Sequence, residues 1–285
     1  MLYTSTISFP GLGIDPFKIN SVAFSIGNFS IAFYGLIITF GIVLAALYVI
    51  WRAKQYDIKA DTILDIALLT VPCGIVGARL YYVLTSLDHF HSFGEVFDIR
   101  SGGLAIYGGI IGGAIGVIIM ARVKKVPFFC LADMIMPAVL IGQILGRWGN
   151  FFNAEAYGSA TELPWRMGIL QHTGEWIYVH PTFLYESLWN LLGFVLINLF
   201  YGFSREKTHK KYDGQIMLMV FGWYGFGRML IEGLRTDSLY VGPFRISQVL
   251  GLLFFLVALS LLVYHHFTKT DMLFHPIEEK KKGKD

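Results

Sequence analysis

Residues 28–51 read NFSIAFYGLIITFGIVLAALYVIW, and no charged residue occurs anywhere between 19 and 51. A helix needs about 20 mainly apolar residues to cross the hydrocarbon core of a bilayer. This stretch exceeds that length, and Asn20, Ser21 and Asn28 ahead of it are expected at the surface before the helix enters. Working outward, six further stretches satisfy the same test, at 62–84, 102–121, 128–147, 181–202, 214–235 and 246–267. Composition agrees. Of 285 residues 55% are hydrophobic and 15% charged, with a mean hydropathy of +0.57. That balance excludes an ordinary soluble globule, a disordered chain and a nucleic-acid binder. The 31 glycines suit helices that pack closely in a membrane. Cys73 and Cys130 lie in apolar stretches and have neither metal-site nor disulfide spacing. Met1-Leu2-Tyr3-Thr4 carries no basic segment, which predicts no cleavable leader.

Lysine and arginine orient the spans. Arg52, Lys54, Lys59, Arg122, Lys124, Lys125, Arg205, Lys207, Lys210, Lys211 and five tail lysines put 15 of 23 basic residues on one side. The positive-inside rule makes that side cytoplasmic. With seven spans the N-terminus lies outside and the C-terminus inside. The sequence therefore predicts an all-α polytopic membrane protein of seven transmembrane helices, one membrane-embedded domain over 1–285. A small external head segment spans about 148–180, with a β-hairpin around His172-Thr173-Gly174-Glu175, and a cytoplasmic tail covers about 268–285.

Of the eight other basic residues seven are arginines, all on the outer side or in the outer halves of spans. Arginine in that position points to forked recognition of an oxyanion. The densest group is Gly146-Arg147-Trp148-Gly149-Asn150-Phe151-Phe152-Asn153-Ala154-Glu155-Ala156-Tyr157-Gly158. A plain interfacial aromatic belt does not need an arginine, two asparagines and a glutamate in nine residues. Arg228, Glu232 and Arg235 fall at i, i+4 and i+7, on one helical face, with a net positive charge left over. Arg79 has two readings, a head-group contact or an arginine snorkelling to the interface. His180, opening His180-Pro181-Thr182-Phe183-Leu184-Tyr185-Glu186, can be a base, a hydrogen-bond donor or a cap. Tyr34 by itself is a membrane-belt tyrosine. Tyr107 precedes Gly108, Gly109, Gly112, Gly113 and Gly116, which read as a helix-packing seam rather than a phosphate loop. No metal or organic cofactor is implied. The convergence of these features on the outer leaflet suggests an enzyme gripping a phospholipid head group. A non-catalytic phospholipid or small-anion transporter is the alternative.

The segment Gly146–Glu155 resembles the signature of the prolipoprotein diacylglyceryl transferases, and the His180–Glu186 stretch and the Arg228/Glu232 pair resemble that family in the same order. The family moves the diacylglyceryl group of phosphatidylglycerol onto the thiol of a lipobox cysteine in a prolipoprotein signal peptide, and glycerol phosphate leaves. The resemblance implies that Arg147 binds phosphatidylglycerol, that Asn150, Glu155 and Gly158 shape its site, and that Arg228, Glu232 and Tyr34 belong to it. It also implies a bacterial plasma membrane location. Many members carry a histidine where this chain has Tyr107. A tyrosine, with a reference pKa near 10, is a poor base at neutral pH. Proton acceptance then falls to His180 or Glu155, or the thiol ionises in the field of the arginines.

Overall fold

The first apolar stretch becomes helix only at Phe33. In the computed structural model, which describes residues 4–27, 29–90, 92–99, 102–203 and 209–268, the chain begins with β-structure. Strands β1 (Thr4–Phe9) and β2 (Ile14–Asn20) pair antiparallel, and β3 (Val22–Ile26) pairs with β4 (Phe29–Ala32). The all-helical expectation is corrected here. Thr4, Thr6 and Ile7 are β-branched residues, and Pro10, Gly11 and Gly13 supply the turn, so the local signal is a hairpin. Hydropathy alone does not register it. Asn28, His91, Arg100, Arg205, Lys207 and the tail lysines lie outside the described residues.

The long helices are α1 (Phe33–Ala53), α2 (Ala60–Thr85), α4 (Ile106–Val123), α5 (Phe128–Phe152), α6 (Thr182–Tyr201), α7 (Gln215–Glu232) and α8 (Ile246–Thr268), with the short α3 (Phe93–Phe97) between α2 and α4. Among the described residues six helices are long and apolar enough to cross a membrane, so the chain is a multi-pass membrane protein. The expected sixth span is a helix, α7, but it is not one of those six. Its 18 residues include Gln215, Arg228 and Glu232, which lower its hydropathy.

Two compact units can be distinguished, residues 46–134 and residues 1–45 with 135–285, and their boundaries fall inside α1 and α5. In the first unit α2 and α4 meet along a seam of glycines. A Cβ on Gly112 would stand 2.2 Å from the Cys73 carbonyl oxygen, and one on Gly77 would stand 2.4 Å from that of Gly108. Small residues let the two backbones touch, as the glycine spacing predicts. Lys124 pairs with Asp65 across the same two helices.

In the second unit a four-stranded sheet has the order β2-β1-β5-β6, where β5 (Met167–Leu170) and β6 (Trp176–Val179) form the hairpin expected around Gly174. Ile7, Ile19, Met167, Ile169, Val179 and Phe183 make its buried core, with Phe151, Ala154 and Tyr157 packed against it. The N-terminal strands thus support the segment between α5 and β5 and the start of α6.

Helices α6 and α7 are locked by a reciprocal pair of tryptophans. Trp189 and Trp223 stack with ring centroids 4.4 Å apart. Each indole N–H donates to the other's backbone carbonyl, at 3.0 and 2.9 Å. Each ring also covers a glycine of the opposite helix, Trp189 over Gly227 and Trp223 over Gly193, where a Cβ would lie 2.1–2.2 Å from an indole nitrogen. Tryptophan followed four residues later by glycine is the repeated device. Replacing Gly227 by Val should therefore cost about 1–3 kcal/mol through overpacking and lower the unfolding midpoint in detergent. Gly35→Ala, at a helical glycine with open space around it, should leave the midpoint unchanged or raise it. Equal effects of the two changes would refute the tryptophan lock.

Candidate functional site

Helix α5 runs to Phe152, past the expected end at residue 147, so Trp148, Gly149 and Asn150 are helical with Arg147 rather than part of the following loop. Gly149 makes this turn compatible with Tyr34. A Cβ there would stand 2.5 Å from the tyrosine ring. Tyr34 of α1 therefore lies against the turn that carries Arg147 and Asn150. Trp148 Nε1 donates to Ser187 Oγ at 3.2 Å, and Ser187 donates to the Ile144 carbonyl at 3.1 Å, fixing α5 to α6.

The segment after α5 is strained and strapped. Ala154 and Ala156 have φ of 49° and 56°, a left-handed conformation that costs a side-chain-bearing residue about 1–2 kcal/mol. The buried Thr182 hydroxyl donates to the Ala156 carbonyl at 2.7 Å. Gly158 N–H donates to the His180 carbonyl at 2.9 Å, and Ser159 N–H to the Leu234 carbonyl at 2.7 Å. These bonds hold Glu155 between the two alanines, where its Oε1 accepts from Asn150 Nδ2 at 2.9 Å and Asn153 Nδ2 at 3.1 Å. Gly158 is needed for space. A Cβ would meet His180 Cβ at 2.7 Å, Thr182 Cγ2 at 2.9 Å and the Leu234 carbonyl oxygen at 3.0 Å.

Arginines and carboxylates converge beside this segment. Glu186, only 4% exposed, lies 2.5 Å from Arg147 Nη2. It accepts from Arg228 Nη1 at 3.0 and 3.1 Å and from Arg235 Nη1 at 3.1 Å. Arg228 Nη2 also pairs with the 1%-exposed Glu232 at 2.6 Å. Arg235 donates from Nε and Nη2 to Asp237 at 2.9 and 2.7 Å, and the Arg235 hydrogen bond holds the Asp237 carboxyl below the usual carboxylate range. Arg147 Nη1 donates to Asn150 Oδ1 at 3.2 Å. One chain of contacts thus runs from Glu155 through Asn150, Arg147 and Glu186 to Arg228 and Glu232.

Three features depart from the sequence expectation. First, Arg228, Glu232 and Arg235 do not share one helical face. Helix α7 ends at Glu232, and Arg235 reaches Glu186 from the following turn, where Gly158 forms an antiparallel bridge with it. Second, the cluster does not keep an excess of positive charge. Three arginines face three carboxylates, Glu186, Glu232 and Asp237. A guanidinium nonetheless carries more N–H donors than one carboxylate engages, so oxyanion recognition stays within its means. Third, Arg79, in the other unit, is committed to a loop. Its guanidinium donates to the carbonyls of Glu95, Val96, Gly102 and Gly103 at 2.6–3.0 Å, so backbone, not a head group, takes most of its N–H groups. Tyr107 opens α4 in that same unit, its ring 6.3 Å from Tyr81.

His180 has a defined hydrogen-bond role. Tyr185 Oη accepts from Trp165 Nε1 at 2.7 Å and lies 3.2 Å from His180 Nδ1. The arrangement that uses every hydrogen has the tyrosine donating to Nδ1, which leaves the proton of a neutral ring on Nε2. Burial lowers the His180 pKa, in keeping with a neutral ring. Glu186 stands at the end of the His180–Glu186 stretch, and sequence reasoning gave it no role. The signal was present: Glu186 is the one charged residue between 176 and 204, and an acid within a span is costly unless it serves a site. Asp237, Ser187 and Thr182 carried no comparable signal.

Fold and cluster together define a multi-pass membrane protein that buries an arginine–carboxylate network where α5, α6 and α7 meet. Comparison with known proteins narrows this. Residues 21–264 match the family model described as prolipoprotein diacylglyceryl transferase. A phosphatidylglycerol–prolipoprotein diacylglyceryl transferase of Finegoldia magna is 47% identical over 232 residues, 81% of this chain and 90% of the relative. One of Listeria welshimeri is 40% identical over 264 residues, 89% and 92% of the two chains. One of Clostridioides difficile is 41% identical over 233 residues, 81% and 90%. The chain belongs to the prolipoprotein diacylglyceryl transferase family.

The crowding at Gly158 is directly testable. Gly158→Ala should lower the unfolding midpoint by an amount equivalent to about 1–3 kcal/mol, because His180, Thr182 and Leu234 are all tied to this segment by hydrogen bonds. A midpoint equal to that of the parent protein would show that the segment gives way freely.

Proposed function

We propose that this protein transfers the diacylglyceryl group of phosphatidylglycerol to the thiol of a lipobox cysteine in prolipoproteins; the names of its relatives give the lipid, the prolipoprotein and the group transferred. The observation that carries the reading is the continuous network from Glu155 to Glu232, which joins the three sequence stretches that resemble the family. In the reaction the cysteine thiolate attacks a glycerol carbon. A carbon–sulfur bond forms, the bond from that carbon to the phosphate oxygen breaks, and glycerol phosphate leaves with the bonding pair. The thiolate is the nucleophile because the thiol is far weaker. Arg147 and Arg228 hold the phosphate and stabilise the charge that develops on the departing oxygens. Such donors act most strongly when fixed in advance in a site with little water.

Glu232 fixes Arg228, and Arg235 fixes Glu186, so both are positioning residues. Asn150 and Gly158 shape the head-group site, and Tyr34 covers it. Glu155, which accepts hydrogen bonds from the neutral amides of Asn150 and Asn153, is the group best suited to accept the thiol proton. His180, with Nδ1 occupied by Tyr185, serves as a hydrogen-bond donor. An apolar cavity of about 550 Å³ next to the Trp189–Trp223 pair, lined also by Phe226, Phe255 and Leu259, offers an acyl tail a place beside the charged cluster. Tyr107 brings a hydroxyl that can donate a hydrogen bond without changing charge.

The protein is one membrane-embedded domain of the bacterial plasma membrane. Helix α7, the sixth in order, also crosses the membrane and brings the spans to seven; the N-terminus and the 153–180 segment are outside, and the C-terminus is cytoplasmic. The distribution of 15 basic residues supports this orientation.

Mass spectrometry of a lipobox peptide incubated with purified protein and phosphatidylglycerol should show a diacylglyceryl adduct on cysteine. Lipid exchange between vesicles with no adduct would replace the transferase reading with transport. In the same assay Arg147→Lys should fall at least about a hundredfold, since lysine keeps the charge but loses the forked donor. Tyr107→Phe should retain measurable transfer, and Tyr107→His should be tolerated. Abolition by Tyr107→Phe with lipid binding intact would make Tyr107 a direct participant.

Orientation is read separately. A tag inserted at Ser159 should be cleaved by protease in intact spheroplasts, and a reporter fused after Asp285 should be protected. The reverse pattern would overturn the outward-facing site.

A further inference from the structure

Glu186 takes three guanidiniums onto one carboxylate, with Arg147, Arg228 and Arg235 at 2.5, 3.0 and 3.1 Å. Carboxylates and phosphates both present paired oxygens to forked arginine donors. Glu186 and a phosphate that enters this site are therefore competitors for the same N–H groups.

The three contacts are not equivalent. Arg228 and Arg235 each have a second carboxylate, Glu232 and Asp237. Arg147 instead donates its second hydrogen bond to a neutral amide, Asn150. Its side chain is also the most exposed of the three, at 22% against 13% and 9%. Arg147 is thus the arginine that leaves Glu186 most cheaply.

The reaction makes such exchange useful. A phosphodiester carries one negative charge. The glycerol phosphate released is a monoester, which carries about −1.5 to −2 at neutral pH. The product is more anionic than the substrate, and a cationic site would hold it more tightly than the lipid it came from.

We propose that Glu186 is a resident anion that stands in for the phosphate: it keeps Arg147 aimed in the empty site, yields it to the incoming head group, and reclaims it as glycerol phosphate departs. The inference rests on the transferase reading above. Glu186 acts through Arg147 and is a positioning residue. Its loss should affect product release more than bond breaking.

The test compares wild type, Glu186→Gln and Glu186→Asp, each checked for folding by size exclusion and thermal unfolding in detergent. Glycerol phosphate binding is measured by calorimetry, and its inhibition constant is measured in the lipobox-peptide assay. Glu186→Gln keeps the size of the side chain and removes its charge. It should bind glycerol phosphate about tenfold more tightly or better, lower KM for phosphatidylglycerol, and lower kcat while a first turnover remains visible as a burst. Glu186→Asp keeps the charge and retracts the carboxylate by one methylene. It should also tighten product binding, which a change in net charge cannot explain. If Glu186→Gln does not fold, Glu186→Asp alone decides. Unchanged or weaker glycerol phosphate binding in the folded variants would overturn the proposal. The calorimetric comparison reads the exchange without turnover, so a wild type that forms no adduct refutes the transferase reading and leaves this test standing.

Discussion

A buried carboxylate surrounded by three arginines is the constraint on which the second unit depends. Glu186 is 4% exposed, and an unpaired charge at that burial is untenable. Arg147, Arg228 and Arg235 must therefore be delivered to it, from α5, from α7 and from the turn after α7. Removing one partner from a buried pair typically costs about 3–5 kcal/mol, because the other charge is left stranded. Any rearrangement of α5, α6 and α7 carries that penalty. The network ties the three helices to one another and holds their forked donors in one place.

The rest of this unit serves that arrangement. The Trp189–Trp223 pair sits three residues after Glu186 and five before Arg228, so it sets the helix spacing at the depth of the ion pairs. The sheet packs its core under Phe151, Ala154 and Tyr157, which steadies the strained segment that presents Glu155. Two alanines in the left-handed region represent stored strain of a few kcal/mol at most. They are held by hydrogen bonds from Thr182 and, one residue on, from Thr236. Strain next to a charged network, maintained from outside, keeps donors and acceptors oriented before the substrate arrives, and preorganisation of this kind is the main source of electrostatic catalysis.

Charge balance changes the chemical picture of the site. An arginine cluster read from sequence looks like a trap for anions. With Glu186, Glu232 and Asp237 in place the arginines are already paired, so on the proposed reading an incoming anion exchanges for one already present. Affinity is moderated, while the direction and number of donors are preserved. That suits an enzyme whose leaving group gains charge on departure.

Much of this protein was legible in the sequence, and the boundary has a physical origin. Hydropathy is local and additive, so the apolar stretches, the multi-pass architecture and the glycine seam at 108–116 could be read from neighbouring residues. The concentration of Arg147, Asn150 and Glu155 in nine residues marked the candidate site for the same reason. Helix ends could not be read, because a glycine such as Gly149 behaves according to what lies against it. Strand pairing between β1 and β5 joins Ile7 to Ile169, a separation no window covers. Arg79 read equally as a head-group contact or a snorkelling arginine, and only the fold brings the carbonyls of residues 95, 96, 102 and 103 within its reach. Glu186 meets Arg147 from 39 residues away, Arg228 from 42 and Arg235 from 49. The sequence alone determined that charges lie within the membrane-spanning region, since their cost there is set by the solvent. Which charge faces which was decided only by the tertiary structure, because Coulomb energy depends on distance in space and helix packing alone sets that distance.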